Sequence, residues 1–179
     1  AMSKRAWEAN AQSDLPKFYL DLKQYLNTGN KNSNPFTPAI NLYFALEASL
    51  TMMQNEGLNN IFVRHARHQK ATQEGIKAMG LNLFTKEGFG SPAITAVQPE
   101  NIDAEEIRKK IKNNFDILLA GGQDHLKGKI FRIGHLGFVN DRDIVSVISA
   151  LESTLYKMGK LKTQPGQGIA KTISVLNDE

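Results

Sequence analysis

The chain has 179 residues, of which 41% are hydrophobic and 22% charged, and its formal net charge is +4 at pH 7. This length and balance predict one ordinary globular domain with a sizeable core. The chain contains no cysteine, which excludes disulfides and thiolate chemistry within it and favours a cytoplasmic protein. Ala1 precedes Met2, and we interpret it as a residue added for expression.

The basic excess is confined to one segment. Residues 157–171 contain four lysines and no acid, and these lysines account for the whole net charge. Because the other charges balance, the sequence does not predict a nucleic-acid-binding surface. No apolar run approaches the roughly 20 residues of a membrane helix, and residues 3–6 do not resemble a signal peptide, so no membrane partner is expected.

The first 35 residues do not predict a fold of their own. Residues 3–13 are typical of a polar helix, and residues 18–20 form only a short apolar stretch. Residues 27–35 read NTGNKNSNP, which predicts a loop because none of them is apolar. We interpret residues 1–35 as an exit helix and linker from a preceding domain.

Two long helices are predicted next. Thr37 and Pro38 suit the start of a helix, and an apolar set at helical spacing continues to Gly57. The hydroxyl of Thr37 suits either helix capping or a phosphate, and capping is the commoner role. A second helix is predicted over 58–79, with Gly80 at its end.

From residue 81 the pattern alternates between strands and helices. The predicted strands are 81–84, 93–97, 115–122 and 129–136. Two helix starts carry the spacing of a capping box: Asp103 with Glu106, and Asn140 with Asp143. This order predicts an α+β fold, a small antiparallel or mixed sheet covered by helices. For the basic tail, residues 160–179, a flexible segment and a further strand over 169–176 are both open.

Arg132 is the most informative candidate site residue. It lies in an apolar, glycine-punctuated strand, KIFRIGHLGF (129–138), where it shares a face with Gly134. A guanidinium is rarely buried without an anion, and its planar fork binds a carboxylate by two parallel hydrogen bonds. Two alternatives stay open: a structural ion pair with a carboxylate such as Asp116 or Asp124, or a ligand that carries a carboxylate.

Glycines and histidines give weaker signals. The pair Gly121-Gly122 favours a plain connection over a phosphate-binding loop, which would need a Gly-Lys-Ser/Thr ending. Two histidines on the second helix favour a solvated basic face over a metal site, because no acidic or thiolate ligand accompanies them, and no metal site is predicted. Two more lie near Arg132 in sequence and are candidates for hydrogen bonds that support it. The helix pair is His65 and His68, and the other pair is His125 and His135.

Two stretches carry a resemblance to a known family. FDILLAGGQDHLKGKIFRIGHLGFVNDRDI (115–144) and PFTPAINLY (35–43) resemble the C-terminal small domain of class V aminotransferases, fold-type I enzymes that depend on pyridoxal 5'-phosphate. The likeness is to the alanine–glyoxylate and serine–pyruvate branch, including proteins labelled as the small, tritium-exchange subunit of a soluble hydrogenase. It extends over about residues 4–159 and leaves out the tail.

The resemblance implies roles for three residues. Arg132 would bind the α-carboxylate of the substrate, and Thr37 would contact the cofactor phosphate of the neighbouring subunit in a homodimer. Asn34 stands where many members have a tyrosine that also contacts this phosphate. The lysine that forms a Schiff base with the cofactor is expected in a large domain ahead of this region, so no catalytic residue is assigned within the chain.

The resemblance therefore implies a C-terminal fragment in which residues 36–159 are the small domain. The intact protein is expected to be a homodimeric transaminase that moves an amino group between serine or alanine and glyoxylate or pyruvate, and the fragment is expected to be inactive alone. The alternative is a non-enzymatic subunit or interaction module of a soluble hydrogenase-type complex, for which the basic segment 157–171 would be the binding feature.

Overall fold

The computed structural model describes residues 2–178 of the chain. These residues form two compact units that adjoin in sequence between residues 55 and 56. Within residues 2–178, no helix is both long enough and apolar enough to cross a membrane.

Three helices make up the first unit. They are α1 (Lys4–Gln12), α2 (Leu22–Gly29) and α3 (Ile40–Glu56), which runs one residue into the second unit. The helix predicted over 3–13 is confirmed as α1, and Ser3 caps it by accepting a hydrogen bond from Ala6 N at 3.2 Å. The loop predicted over 27–35 is wrong in its first three residues, where α2 continues after a cap at Asp21.

Helix α3 is apolar but exposed. Its large hydrophobic side chains keep between 46% and 70% of their surface accessible. They are Ile40, Leu42, Tyr43, Phe44, Leu46, Leu50, Met52 and Met53. A helix that is apolar around most of its circumference is normally covered by other parts of a protein on several sides. The exposed apolar side chains of α3 therefore form a surface that a further partner could cover.

The second unit is an α+β domain, as predicted. Its elements in chain order are α4 (Leu58–Ala78), β1 (Asn82–Leu83), β2 (Ile94–Gln98), α5 (Ala104–Phe115), β3 (Ala120–Gly121), a 3-10 turn (Asp124–Leu126), β4 (Phe131–Gly134), α6 (Asp141–Lys157) and α7 (Gln167–Asn177). The four strands form one sheet in the order β1-β2-β4-β3, and every pair is antiparallel. The structure thus decides between the antiparallel and mixed sheets that the sequence left open.

The sheet buries one face against helices. Val97, Phe131 and Ile133 are at most 1% exposed and belong to one hydrophobic core with Ile107 of α5 and Ile148 of α6. Along β2 and β4 buried residues alternate with accessible ones, as expected for a sheet with one face on the core and one face open.

Local capping fixes where the helices of this unit begin. At α6 the predicted capping box forms: Asn140 Oδ1 accepts from Arg142 N, and Asp143 Oδ2 accepts from Asn140 N, both at 2.9 Å. At α5 only the Asp103 half of the predicted capping box is present: Asp103 Oδ1 accepts from Glu105 N at 2.9 Å, and no hydrogen bond returns from Glu106 among the described residues.

The strand predicted over 115–122 is largely wrong. Helix α5 extends through Phe115, and Asp116 then adopts left-handed backbone geometry with φ 55°. Only Ala120 and Gly121 pair with β4. The left-handed residue ends the helix and redirects the chain, so the apolar residues that follow reach the sheet only at its edge.

Within the tail, Gln167–Asn177 form helix α7, so the strand considered over 169–176 is wrong. The buried residues of α7 follow helical spacing and pack along α4. They are Gly168, Thr172, Val175 and Leu176. Gly75 of α4 allows this close packing, because an added side chain there would overlap the Thr172 hydroxyl. The many β-branched residues of this stretch favoured a strand, but packing against α4 decides for a helix.

Candidate functional site

Arg132 lies on the open face of the sheet, between two alanines. The register pairs it with Ala96 of β2 on one side and with Ala120 of β3 on the other. Residues directly opposite each other in a sheet share a face, so the side chains next to Arg132 on the two neighbouring strands are alanine methyl groups. Gly134, which shares this face two residues further along β4, is exposed.

The guanidinium of Arg132 has one hydrogen bond to the rest of the described chain. Its Nε donates to Gly121 O at 3.0 Å. Within residues 2–178 no carboxylate lies within 4.0 Å of it, so the ion pairs considered with Asp116 or Asp124 do not form. The two Nη groups, which make up the outer fork, have no hydrogen-bond partner among the described residues.

The hydrogen bond between Arg132 and Gly121 O was not predicted from the sequence. The pair Gly121-Gly122 favoured a plain connection, whereas Gly121 is part of β3 and its carbonyl orients Arg132. A hydrogen bond to a backbone carbonyl cannot be predicted from the type of side chain at that position. The one sequence signal for this contact was the glycine itself, because glycine permits close approach of other groups.

Asn34 and Thr37 belong to the first unit, where both side chains are exposed. Helix α3 begins at Ile40, and Tyr43 N donates to Ala39 O. The prediction that Thr37 starts the helix is therefore wrong, because the chain becomes helical three residues later. Within residues 2–178 the side chains of Asn34 and Thr37 have no hydrogen-bond partner, so their polar atoms are available to a ligand.

An aromatic cluster holds the segment that carries these two residues. The ring of Phe36 lies 4.9 Å from Tyr19, 5.4 Å from Phe18 and 6.2 Å from Tyr25, measured between centroids. These distances are typical of favourable aromatic pairs. Phe36 therefore ties the segment before α3 to the turn that precedes α2.

His135 lies on the core side of the sheet, not beside Arg132. It is fully buried, and its Nε2 lies 2.9 Å from Thr95 Oγ1. Burial lowers the pKa of His135 to about 4, and the nearby His68 acts in the same direction. The imidazole is therefore neutral at pH 7. It cannot contact a ligand on the open face, and its role is to fill and bond the layer beneath β2 and β4.

The interpretation of the histidines on the second helix as part of a solvated basic face is wrong for His68. It is fully buried, with Nε2 2.8 Å from Asp141 Oδ1, and Arg67 Nη2 donates to the same oxygen at 2.8 Å. Arg67 Nη1 also donates to Leu176 O at 2.8 Å. Burial lowers the pKa of His68, while the hydrogen bond that its imidazole donates to Asp141 opposes this shift. The cluster joins α4, α6 and α7.

The chain resembles aminotransferases in sequence and in fold. No protein-family model matches it. It is 53% identical over 177 residues to a soluble hydrogenase small subunit of Synechococcus sp. (strain PCC 6716), which covers 99% of this chain and 46% of that protein. It is 36% identical over 177 residues to a serine–glyoxylate aminotransferase of Arabidopsis thaliana, covering 97% of this chain and 44% of the relative.

Solved structures of aminotransferases also match this chain. The ureidoglycine–glyoxylate aminotransferase of Bacillus subtilis matches with a TM-score of 0.89 and 29% identity, over 98% of this chain and 46% of that one. The homologues and structural neighbours of the chain are class V aminotransferases, and the chain matches the C-terminal domain of that family. It spans about half the length of the curated relatives it matches. The match includes the tail, which the sequence resemblance had left out.

Proposed function

We propose that the chain is the C-terminal part of a transaminase that depends on pyridoxal 5'-phosphate. The intact protein would move an amino group between serine or alanine and glyoxylate or pyruvate, and the part described here would be inactive alone. In this proposal Arg132 binds the carboxylate common to these amino acids and oxo acids. The residues that precede α3 would reach the cofactor phosphate.

The orientation of Arg132 carries this proposal. Its Nε donates to Gly121 O, and the two Nη groups have no hydrogen-bond partner within residues 2–178, so they form an outer fork that a ligand can occupy. An end-on fork can hold both oxygens of a carboxylate and so fixes the orientation of the substrate as well as its charge. The flanking Ala96 and Ala120 leave room for an approaching molecule.

Asn34 and Thr37 are the groups proposed to contact the cofactor phosphate. Both are exposed, and a hydroxyl and a carboxamide can each donate a hydrogen bond to phosphate. The cofactor, when bound, supplies the electron-withdrawing ring on which amino-group transfer depends. A Thr37→Val substitution should weaken cofactor retention in the intact protein, because the hydroxyl is lost at nearly constant volume. Equal retention on dialysis would remove Thr37 from the site.

A homodimer of the intact protein is part of the proposal. In the resemblance, Thr37 serves the cofactor of the neighbouring subunit. The exposed apolar surface of α3, from Ile40 to Met53, supports an assembly because it is too large to be typical of an uncovered helix. Sedimentation of the intact protein at micromolar concentration would measure its mass, and a monomer would contradict this part of the proposal.

The decisive experiment uses an Arg132→Lys variant of the intact protein. Lysine keeps the charge but loses the fork, so KM for serine should rise roughly 10- to 100-fold, as for the loss of a charged hydrogen bond. Cofactor absorbance should stay unchanged. Arg142→Lys is the matched control, since Arg142 is exposed on α6. Unchanged kinetics of Arg132→Lys would mean that Arg132 is structural.

A second candidate follows from the name of one relative. The protein that is 53% identical is called a small subunit of a soluble hydrogenase, which favours a non-enzymatic subunit in a larger complex. The two candidates differ in one observation. An intact protein whose visible-edge absorbance shifts on addition of serine or alanine supports the transaminase, and a colourless protein that does not respond to the cofactor supports the subunit.

A further inference from the structure

The orientation of Arg132 depends on a short edge strand. Its one hydrogen bond within the described chain goes to Gly121 O, and Gly121 lies in β3, a strand of two residues at the edge of the sheet. A two-residue edge strand has few ladder hydrogen bonds of its own. The same peptide group is held through Gly122 N, which donates to Ile130 O at 3.1 Å, and a strand this short relies on further contacts to keep the carbonyl in place.

An ion pair on α5 lies directly beneath Gly121. Arg108 Nη1 donates to Glu105, one turn earlier on the helix. A Cβ added at Gly121 would lie 2.6 Å from Glu105 Oε1 and 2.7 Å from Arg108 Nη1. Gly121 is paired with the buried Phe131, so this pair touches it from the core side, opposite the face that carries Arg132.

Arg108 also holds β3 by a direct hydrogen bond. Its Nε donates to Leu119 O at 2.7 Å, one residue before the strand begins. One guanidinium therefore anchors the chain at Leu119 and supports it beneath Gly121. Because a guanidinium is planar and rigid, both contacts are fixed together.

We propose that Arg108, paired with Glu105, is a positioning residue for Arg132. It fixes the strand whose Gly121 carbonyl orients the Arg132 guanidinium, and so it aims the outer fork. The inference rests on the proposed function for its kinetic consequence, but the orientation of Arg132 can be measured without it. Arg108 itself does not touch the substrate.

The first test follows the Nε–H of Arg132 by nuclear magnetic resonance in the ¹⁵N-labelled chain. Its signal is assigned by its absence from Arg132→Lys. In the Arg108→Met variant its exchange with water should become about 10-fold faster, as expected when a hydrogen bond is lost. Lys109→Met is the matched control, because Lys109 is exposed on the same helix, and it should leave this exchange rate unchanged.

The second test is a double-mutant cycle in the intact protein. Arg108→Met should raise KM for serine about 10-fold, since small misplacements of a binding group are costly. In the Arg132→Lys background the same change should raise KM less than about twofold, because Arg108 acts through Arg132. A merely structural role would give the same loss in both backgrounds.

Two results would overturn the inference: an unchanged exchange rate of Arg132 Nε–H in Arg108→Met, or equal KM effects in the two backgrounds. If Arg132→Lys leaves KM unchanged while the exchange of Arg132 Nε–H becomes faster in Arg108→Met, Arg108 still positions Arg132, but Arg132 does not bind the substrate carboxylate.

If Arg108→Met does not fold, Arg108→Lys replaces it. Lysine lacks the planar fork that makes both contacts, so the exchange of Arg132 Nε–H should again be faster.

Discussion

The buried His135 should make the stability of this chain sensitive to acid. Its pKa is lowered by burial from the usual 6.5 to about 4 in the folded chain. Between these values the unfolded chain binds more protons than the folded chain, so the free energy of unfolding rises with pH. The stabilisation is complete above pH 6.5 and is lost as the pH falls towards 4.

The size of the effect follows from the two pKa values. At pH 5 the linkage relation gives a loss of about 2 kcal/mol from His135 alone, and below pH 4 the loss approaches about 3 kcal/mol. Such a loss is a large fraction of the ~5–15 kcal/mol that stabilises a typical domain. Because burial also lowers the pKa of His68, the whole chain should lose more than this.

Urea unfolding at pH 8 and pH 5, followed by circular dichroism, measures the effect. His135→Gln should reduce the difference in unfolding free energy between the two pH values by about 2 kcal/mol relative to wild type. The same substitution at the exposed His125 is the matched control and should leave that difference as it was. If His135→Gln and wild type lose equal free energy on acidification, the burial argument is wrong.

Two further predictions concern contacts that join elements of the second unit. Arg64 binds both carboxylate oxygens of Glu56, at 2.5 and 3.0 Å, and its Nη1 donates to Gly137 O. Arg64→Met should therefore lower the free energy of unfolding by about 1–3 kcal/mol and speed amide hydrogen exchange in the loop after β4; unchanged exchange there would contradict the contact. Glu152 Oε1 accepts from Gly168 N at the start of α7, so Glu152→Ala should cost about 1–3 kcal/mol in urea unfolding and Glu152→Gln less, because the amide keeps an acceptor. Equal losses in the two variants would show that this hydrogen bond contributes nothing.

Local signals in the sequence located most helices of the chain. Asp103 and Asn140 each cap a helix in the structure where their spacing predicted one. These predictions succeed because a cap depends only on residues within one turn. The prediction at Thr37 failed, since the chain continues in irregular form to Ala39 before α3 begins.

The errors share a physical cause. The strand predicted over 115–122 was an apolar run, but the left-handed residue Asp116 and the packing of α5 leave only two residues in the sheet. Residues 169–176 are rich in β-branched residues, yet they lie in helix α7 because its buried side chains meet α4. Short apolar runs do not by themselves distinguish a strand from a buried helix segment.

The candidate site also has one part that the sequence predicted and one part that it did not. Arg132 was identified because a charge in an apolar strand demands a partner. Its actual partner, the carbonyl of Gly121, and the support beneath it from Arg108 were not predicted. These contacts join residues from α5, β3 and β4, and sequence spacing carries no information on contacts between separate elements.

By itself the sequence determined the α+β class of the second unit, the strand on which Arg132 lies and the face that it occupies, because periodicity along one element is a local property. Only the tertiary structure decided that Arg132 has no carboxylate partner among residues 2–178, that His68 and His135 are buried, and that Gln167–Asn177 form a helix. Each of these depends on which elements pack together, and packing is set by the whole chain at once.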